Sequence, residues 1–244
     1  MGNLINRAFA PFHFRLVRTR AMRDPVELFV LKAHERGVRT VLDVGANVGQ
    51  FIHSIRAAGY SGRAVSFEPL KEAHRQLELN ASTDPDWFAG SRAAVGATAG
   101  QATINVSGNS VSSSLLPVEA ASTDTLAETA YVASEIVETV RLDDALDAAW
   151  EGPYAIKIDT QGFELEVLRG APRVLAQTAV IVVELSLAEL YTGGARIHEI
   201  FAHLESAGFR AIAITEGFSD YSRNEMLQVD AVFVSNIGSE TRTG

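Results

Sequence analysis

The most constraining stretch of this 244-residue chain is Thr40-Val-Leu-Asp-Val-Gly-Ala-Asn-Val-Gly49. Thr40–Val44 is short and nearly all apolar, as a strand covered on both faces must be. The turn Gly45–Gly49 follows, and a helix is expected from about Gln50 to Ala58. Ala64–Phe67 reads as the next strand, closed by Glu68 and Pro69, and Lys71–Leu79 as the next helix. A parallel neighbour is reached only through a crossover, so this order makes a right-handed βαβ unit.

The same alternation fills most of the chain. Pro25 suits a first helical turn, Val26–Arg36 the helix, and Gly37 its C-cap. Tyr154–Ile158 and Ala179–Leu185 read as buried strands, with helices expected at about Phe163–Arg169 and Ala195–Ala207. Arg210–Thr215 and Asp230–Val234 have no helix between them, which predicts an antiparallel closing pair. The expected fold is α/β and Rossmann-like: about seven strands, mostly parallel, with an antiparallel closing strand and helices on both faces. Residues 96–146 fit less well. Ala102–Ser107 and Glu135–Leu142 look like strands there, separated by Gly108–Ser114 and an acidic, helix-compatible stretch. The chain is therefore read as a basic arm, residues 1–24, and a single domain, residues 25–244, carrying a lid-like insertion at about 96–146.

Charge and cysteine usage narrow the function classes. Residues 1–39 hold eight basic and three acidic side chains, so a net charge of −9 divides into +5 there and −14 in the remainder. A body that acidic repels nucleic acid, which is not expected as a partner. With no cysteine there is no disulfide framework, thiolate metal site or thiol nucleophile. A reducing, cytoplasmic location is the natural expectation. Asn3–Met22 has neither the form of a signal peptide nor a spanning apolar run. Two readings stand for this arm. One is a helix packed on the domain or on a second subunit of a homodimer. The other is an amphipathic helix making peripheral contact with an anionic membrane.

Glu68 ends the second strand 19 residues after Gly49, where a carboxylate can accept both hydroxyls of a ribose. A dinucleotide fingerprint requires glycine at 45, 47 and 50, but Asn47 and Gln50 break it. Asp-x-Gly-x-Asn-x-Gly suits S-adenosylmethionine, which has no pyrophosphate to cradle. Its ammonium and carboxylate are expected to meet Asp43 and the turn amides. The cofactor surface is assigned to Asp43, Gly45, Ala46, Asn47, Gly49, Gln50, Phe51, Glu68, Pro69 and Ala94.

From about Thr40 to Val234 the chain resembles the FkbM-type family of class I methyltransferases. The resemblance is carried by Asp43–Phe51, Ser66–Pro69, Asn109 with Ser112–Leu116, and Arg141-Leu-Asp143. Its most specific block is Lys157-Ile-Asp-Thr-Gln-Gly-Phe-Glu164, followed by Val167–Gly170, Glu184-Leu-Ser186 and Gln228-Val-Asp230. The resemblance implies a class I methyltransferase sandwich. It also implies methyl transfer to a hydroxyl of a sugar, glycan or polyketide-like small molecule.

Lys157 is unusual even without that resemblance, because it sits in an apolar strand and a buried ammonium needs a partner. Asp159, two residues on, projects to the same face. Glu184 ends the adjacent strand at the same rim. Either carboxylate can serve as the base for an acceptor hydroxyl, with Lys157 orienting it or stabilising an oxyanion. A purely structural ion pair is the competing reading. Mg²⁺ held by Asp159 and Glu184 is possible but not favoured, since an octahedral site usually shows more ligands. Asn109, Ser113 and Ser114 of the insertion, with Gln161, Tyr191 and His198, are the expected acceptor contacts. His53 and His203 lack ligand spacing and are expected to be packing or surface groups. An NAD(P)-dependent oxidoreductase and an inactive methyltransferase-like binding protein are the alternative functions.

Overall fold

The computed structural model describes residues 24–147 and 149–236; the arginine-rich arm through Arg23 lies outside the described residues. Asp24 caps the first helix, its carboxylate accepting from the Val26 amide at 2.8 Å, and Pro25 opens that helix without losing a needed N–H. The elements then run α1 (Pro25–Glu35), β1 (Thr40–Val44), α2 (Gln50–Ala57), β2 (Arg63–Phe67), α3 (Lys71–Ala81), β3 (Trp87–Ala89), β4 (Ala93–Val95) and β5 (Gly100–Ser107). They continue as α4 (Ala120–Thr125), a 3-10 turn, β6 (Tyr131–Val140), α5 (Leu142–Ala145), β7 (Tyr154–Ile158), α6 (Glu164–Arg169) and α7 (Pro172–Leu175). The last are β8 (Thr178–Ser186), α8 (Ile197–Ser206), β9 (Phe209–Glu216), β10 (Ser219–Asp220), β11 (Glu225–Met226) and β12 (Gln228–Ser235).

The main sheet has seven strands in the order β3-β2-β1-β7-β8-β12-β9. Strands β3 through β8 pair in parallel, while β12 runs antiparallel to both β8 and β9. This is the α/β, Rossmann-like arrangement expected from the sequence. Strand order reverses between β1 and β7, and a crevice opens at their carboxyl ends.

Period-two alternation sorts the strand residues between two cores. Leu42, Val44, Ile156, Ile158, Ile181 and Val183 pack with Leu165, Leu168, Ile200 and Leu204 of α6 and α8. Val41, Ala64, Ala155, Val180, Val182 and Val232 pack with Phe29, Ile52, Ile55 and Leu77 of α1, α2 and α3. The parity of the second set carries a consequence: Asp43, Ser66, Lys157, Glu184 and Asp230 all lie on that face, toward the crevice rim.

Two strands depart from the sequence reading. Trp87–Ala89 and Ala93–Val95 are too short to show alternation, and they emerge only through pairing with β2 and β6. The insertion is built around a three-stranded sheet, β4-β6-β5, that begins at Ala93. Leu142, expected at a strand end, is buried and opens α5 instead. Among the described residues, no helix is long and apolar enough to cross a membrane.

Candidate active site

The glycine turn is consumed by its own hydrogen bonds. Gly45 and Ala46 amides both donate to the Phe67 carbonyl, at 3.1 and 3.0 Å, and Gly49 donates to Ala46 at 2.8 Å. The Asn47 amide donates to Glu68 Oε2 at 2.8 Å, and the Val48 amide to Asn47 Oδ1 at 2.9 Å. The expectation that these amides meet a cofactor carboxylate is therefore corrected. What stays open is the first turn of α2, where no side chain caps the helix and Gln50 and Phe51 line the cavity.

The need for glycine also has a different cause from the one expected. Gly45 has φ +74°, and a Cβ there would lie 1.9 Å from the carbonyl oxygen of Asp159. At Gly49, with φ +95°, a Cβ would lie 2.3 Å from the Trp87 ring. Both glycines allow protein to approach protein. The first brings the β1 turn against the end of β7.

Around this turn lies a cavity of about 400 Å³. Its walls include Gly45, Ala46, Asn47, Gln50, Phe51, Glu68, Pro69 and Ala94, then Ser113 and Ser114 of the insertion. Lys157, Asp159, Gln161, Glu184 and Asp230 complete it. Gly49, Asp43, Asn109, Tyr191 and His198 are not on these walls.

Glu68 is buried, and its oxygens accept from the Asn47 and Leu70 amides at 2.8 and 2.9 Å. Burial pushes its carboxyl up to about 7, against the opposing pull of those two amides. Each oxygen retains a lone pair, so a ribose diol can still donate to it.

Asp43 is fully buried, so it cannot reach a bound ammonium as expected. It accepts from the Ser66 hydroxyl at 3.1 Å and faces Lys157 Nζ at 3.5 Å, leaving Oδ1 without a hydrogen bond. Burial raises its carboxyl, and Lys157 opposes the rise. Lys157 Nζ donates to the Gly45 carbonyl at 2.7 Å and stands 3.5 Å from Asp159 Oδ2. Burial works against its charge, but Asp159 and Asp43 together raise its proton affinity. Lys157 thus binds turn, buried acid and rim acid together.

Asp159 keeps 35% of its side chain exposed, and Oδ1 accepts from Gln161 Nε2 at 2.6 Å. Glu184 is held differently. Its Oε2 accepts from both Gln161 Nε2 at 2.7 Å and Gln228 Nε2 at 2.5 Å. Burial first, then Asp159, Glu164 and Asp230, hold its carboxyl well above the usual range.

Two acids went unassigned in the sequence. Asp230 pairs in register with Glu184, and burial and Asp159 push it up to about 6. A carboxylate opening an apolar strand was its signal, as with Lys157. Glu164 is buried, and its Oε1 accepts the Thr160 and Gly162 amides, each at 3.0 Å, shaping the turn after β7. Burial moves it up to about 6. Its place at the end of the Lys157–Glu164 block was the available sign.

The insertion touches both sides of the crevice. Asn47 Nδ2 donates to Ser110 Oγ at 3.2 Å, and Ser114 Oγ donates to the Gln161 carbonyl at 2.6 Å. Asn109, expected at the acceptor, spends Oδ1 on the Ser112 amide and the Ser107 hydroxyl, closing its own loop. Tyr191 is buried and donates to Gln161 Oε1. His198 is exposed and, with Tyr191, lines a separate depression of about 160 Å³. Among the described residues, no three His, Asp or Glu side chains gather as metal ligands.

The chain matches the family described as methyltransferase FkbM domain over residues 43–211. No curated protein is similar enough to count as a relative. Many solved structures are similar to it in fold, and two serve as examples. One is the 1,6-didemethyltoxoflavin-N1-methyltransferase of Burkholderia thailandensis, with 1,6-didemethyltoxoflavin and S-adenosylhomocysteine bound. It is 10% identical with a TM-score of 0.47, over 86% of this chain and 76% of that one. The other is the O-methyltransferase TomG of Streptomyces achromogenes, involved in tomaymycin synthesis and in complex with S-adenosylmethionine. It is 14% identical with a TM-score of 0.46, over 96% of this chain and 88% of that one. The family match spans more than half of the sequence and includes the glycine turn, Glu68 and the Lys157–Glu164 block, and the chain belongs to the FkbM methyltransferase family.

Proposed function

We propose that this chain is an S-adenosylmethionine-dependent O-methyltransferase that acts on a hydroxyl of a sugar, glycan or polyketide-like small molecule. The supporting observation is that Asp159 and Glu68 share one cavity, with Asp159 part-exposed between the Lys157 ammonium and the Gln161 amide. Glu68 suits the ribose, and the uncapped first turn of α2 suits the carboxylate of the amino-acid part. When bound, the cofactor supplies an electrophilic methyl carbon. The protein's task is then to align the acceptor oxygen and take its proton. Asp159 is assigned as that base in preference to Glu184. The Glu184 Oε2 already accepts two amide donors, and its surroundings favour the neutral acid. Lys157 orients Asp159 from 3.5 Å. Ser113 and Ser114 line the cavity, but their hydroxyls are already engaged, Ser113 with the Ser107 amide and Ser114 with the Gln161 carbonyl, so they shape the acceptor's wall.

The test is transfer of labelled methyl to a panel of sugars, glycans and polyketide-like alcohols. Asp159→Asn should abolish turnover while S-adenosylhomocysteine still binds by calorimetry. Unchanged turnover in that variant would overturn the assignment. The same assay after EDTA dialysis, with and without added Mg²⁺, decides metal dependence.

A further inference from the structure

Gln161 is the point where four parts of the site meet. Its side-chain nitrogen donates to Asp159 Oδ1 at 2.6 Å and to Glu184 Oε2 at 2.7 Å. Its side-chain oxygen accepts from the Tyr191 hydroxyl, and its backbone oxygen from Ser114 Oγ at 2.6 Å. The residue holds φ +56°, a left-handed conformation unfavourable for a side chain of this size, followed by Gly162 at φ +96°. Residues kept in such conformations are held by their surroundings, and they cluster at working sites.

We propose that Gln161 is a positioning residue: its amide fixes the orientation of the Asp159 carboxylate by bridging it to Glu184, and Tyr191 fixes which way that amide faces. An amide has two N–H groups, and here each one meets a different carboxylate. Turned over, it would set its oxygen against two carboxylate oxygens. Tyr191 prevents this by donating to Oε1. Burial raises the phenol's proton affinity, so the hydroxyl keeps its proton and acts as donor. Ser114 adds the insertion to the same residue, so the wall of the acceptor cavity and the base share one anchor.

The groups facing Asp159 explain why a neutral donor is needed there. Lys157 of β7 favours its charge from 3.5 Å, but Lys157 is shared with Asp43 of β1 at the same distance. Glu184 of β8, Asp230 of β12 and Glu164 of α6 all feel Asp159 as a like charge. Hydrogen bonds to the ionised form oppose that repulsion. Gln161 supplies one to Asp159 without adding charge to the crevice. It was expected at the acceptor; its amide is instead already engaged with the base.

The inference rests on the proposed role of Asp159 for its consequence in turnover, but its test needs no acceptor. Aspartate carboxyl carbons are labelled with ¹³C in the full chain, and Asp159→Asn identifies the Asp159 signal. Gln161→Met removes both donors at similar length, and at fixed pH should shift and broaden the Asp159 carboxyl signal, because the side chain loses the amide that holds it. Tyr191→Phe leaves the amide but frees it to turn, and should shift the same signal by less. An Asp159 signal unchanged in the folded variants overturns the proposal, even if their melting temperatures fall. Should Gln161→Met not fold, Tyr191→Phe decides by the same criterion. Titrating S-adenosylhomocysteine into the same wild-type sample reads the proposed function separately. Failure to bind would count against that function and leave the comparison of Asp159 signals standing.

Discussion

Lys157 donates from Nζ to the carbonyl oxygen of Gly45 at 2.7 Å, and so ties β7 to the turn that follows β1 across the point where strand order reverses. The same ammonium faces Asp43 and Asp159, each at 3.5 Å. One cation thereby serves the fold below the crevice and the carboxylate above it.

Lys157→Met should be strongly destabilising. Asp43 has no solvent exposure, and one of its oxygens has no hydrogen bond, so removing the cation strands a buried charge. Breaking such a pair from one side costs about 3–5 kcal/mol. Adding Asp43→Asn should recover part of that loss. Urea unfolding of both single variants and the double variant measures the coupling. Additive effects would mean that the two residues do not stabilise one another.

Stability without cofactor should fall as pH rises from about 5.5 to 8. Folding raises the carboxyls of Glu164 and Asp230 to about 6 and that of Glu68 to about 7. Between the unfolded and folded values the native chain binds more protons, so the stability slope with pH is negative. The contribution is full below the unfolded carboxylate range and is lost as pH passes through these folded values. Glu68→Gln should flatten the upper end of the curve, near pH 7. Thermal melts across that range check both statements; a melting temperature that rises with pH would contradict them.

The frame was readable because a buried parallel strand such as Thr40–Val44 has little choice of composition, and a helix must follow before the next parallel strand. Lys157, Asp159 and Glu184 were readable because charge in or at the end of an apolar strand demands a reason. What could not be read was the direction in which side chains spend their hydrogen bonds. Asp43 looked like a ligand contact, but it lies beneath Lys157. The turn amides looked available, but Phe67, Glu68 and Asn47 accept them or Ala46 does so within the turn. Asn109 looks like its serine neighbours in sequence, and only the loop's closure shows that its side chain is occupied. Strands of three residues, such as Trp87–Ala89, carry no periodic signal at all and depend on long-range pairing.

Two glycines with similar backbone angles should respond very differently to alanine. Gly37, at φ +63°, has open space where a Cβ would go, so Gly37→Ala carries only the left-handed backbone cost of about 1–2 kcal/mol. Gly45→Ala adds a clash with the Asp159 backbone, which cannot move without opening the crevice. It should lose clearly more stability and should also weaken S-adenosylhomocysteine binding, which Gly37→Ala leaves intact. Equal losses in urea unfolding would show that the close approach of the β1 turn to Asp159 is not needed.

The most direct test of the account is calorimetric titration of S-adenosylhomocysteine into the wild-type chain, Glu68→Gln and Asp159→Asn. The wild type and Asp159→Asn should bind alike, because Asp159 is assigned to the acceptor's proton. Glu68→Gln should bind about tenfold more weakly, because the ribose loses a charge-assisted hydrogen bond. No binding by the wild type, or equal affinity in Glu68→Gln, would contradict the account.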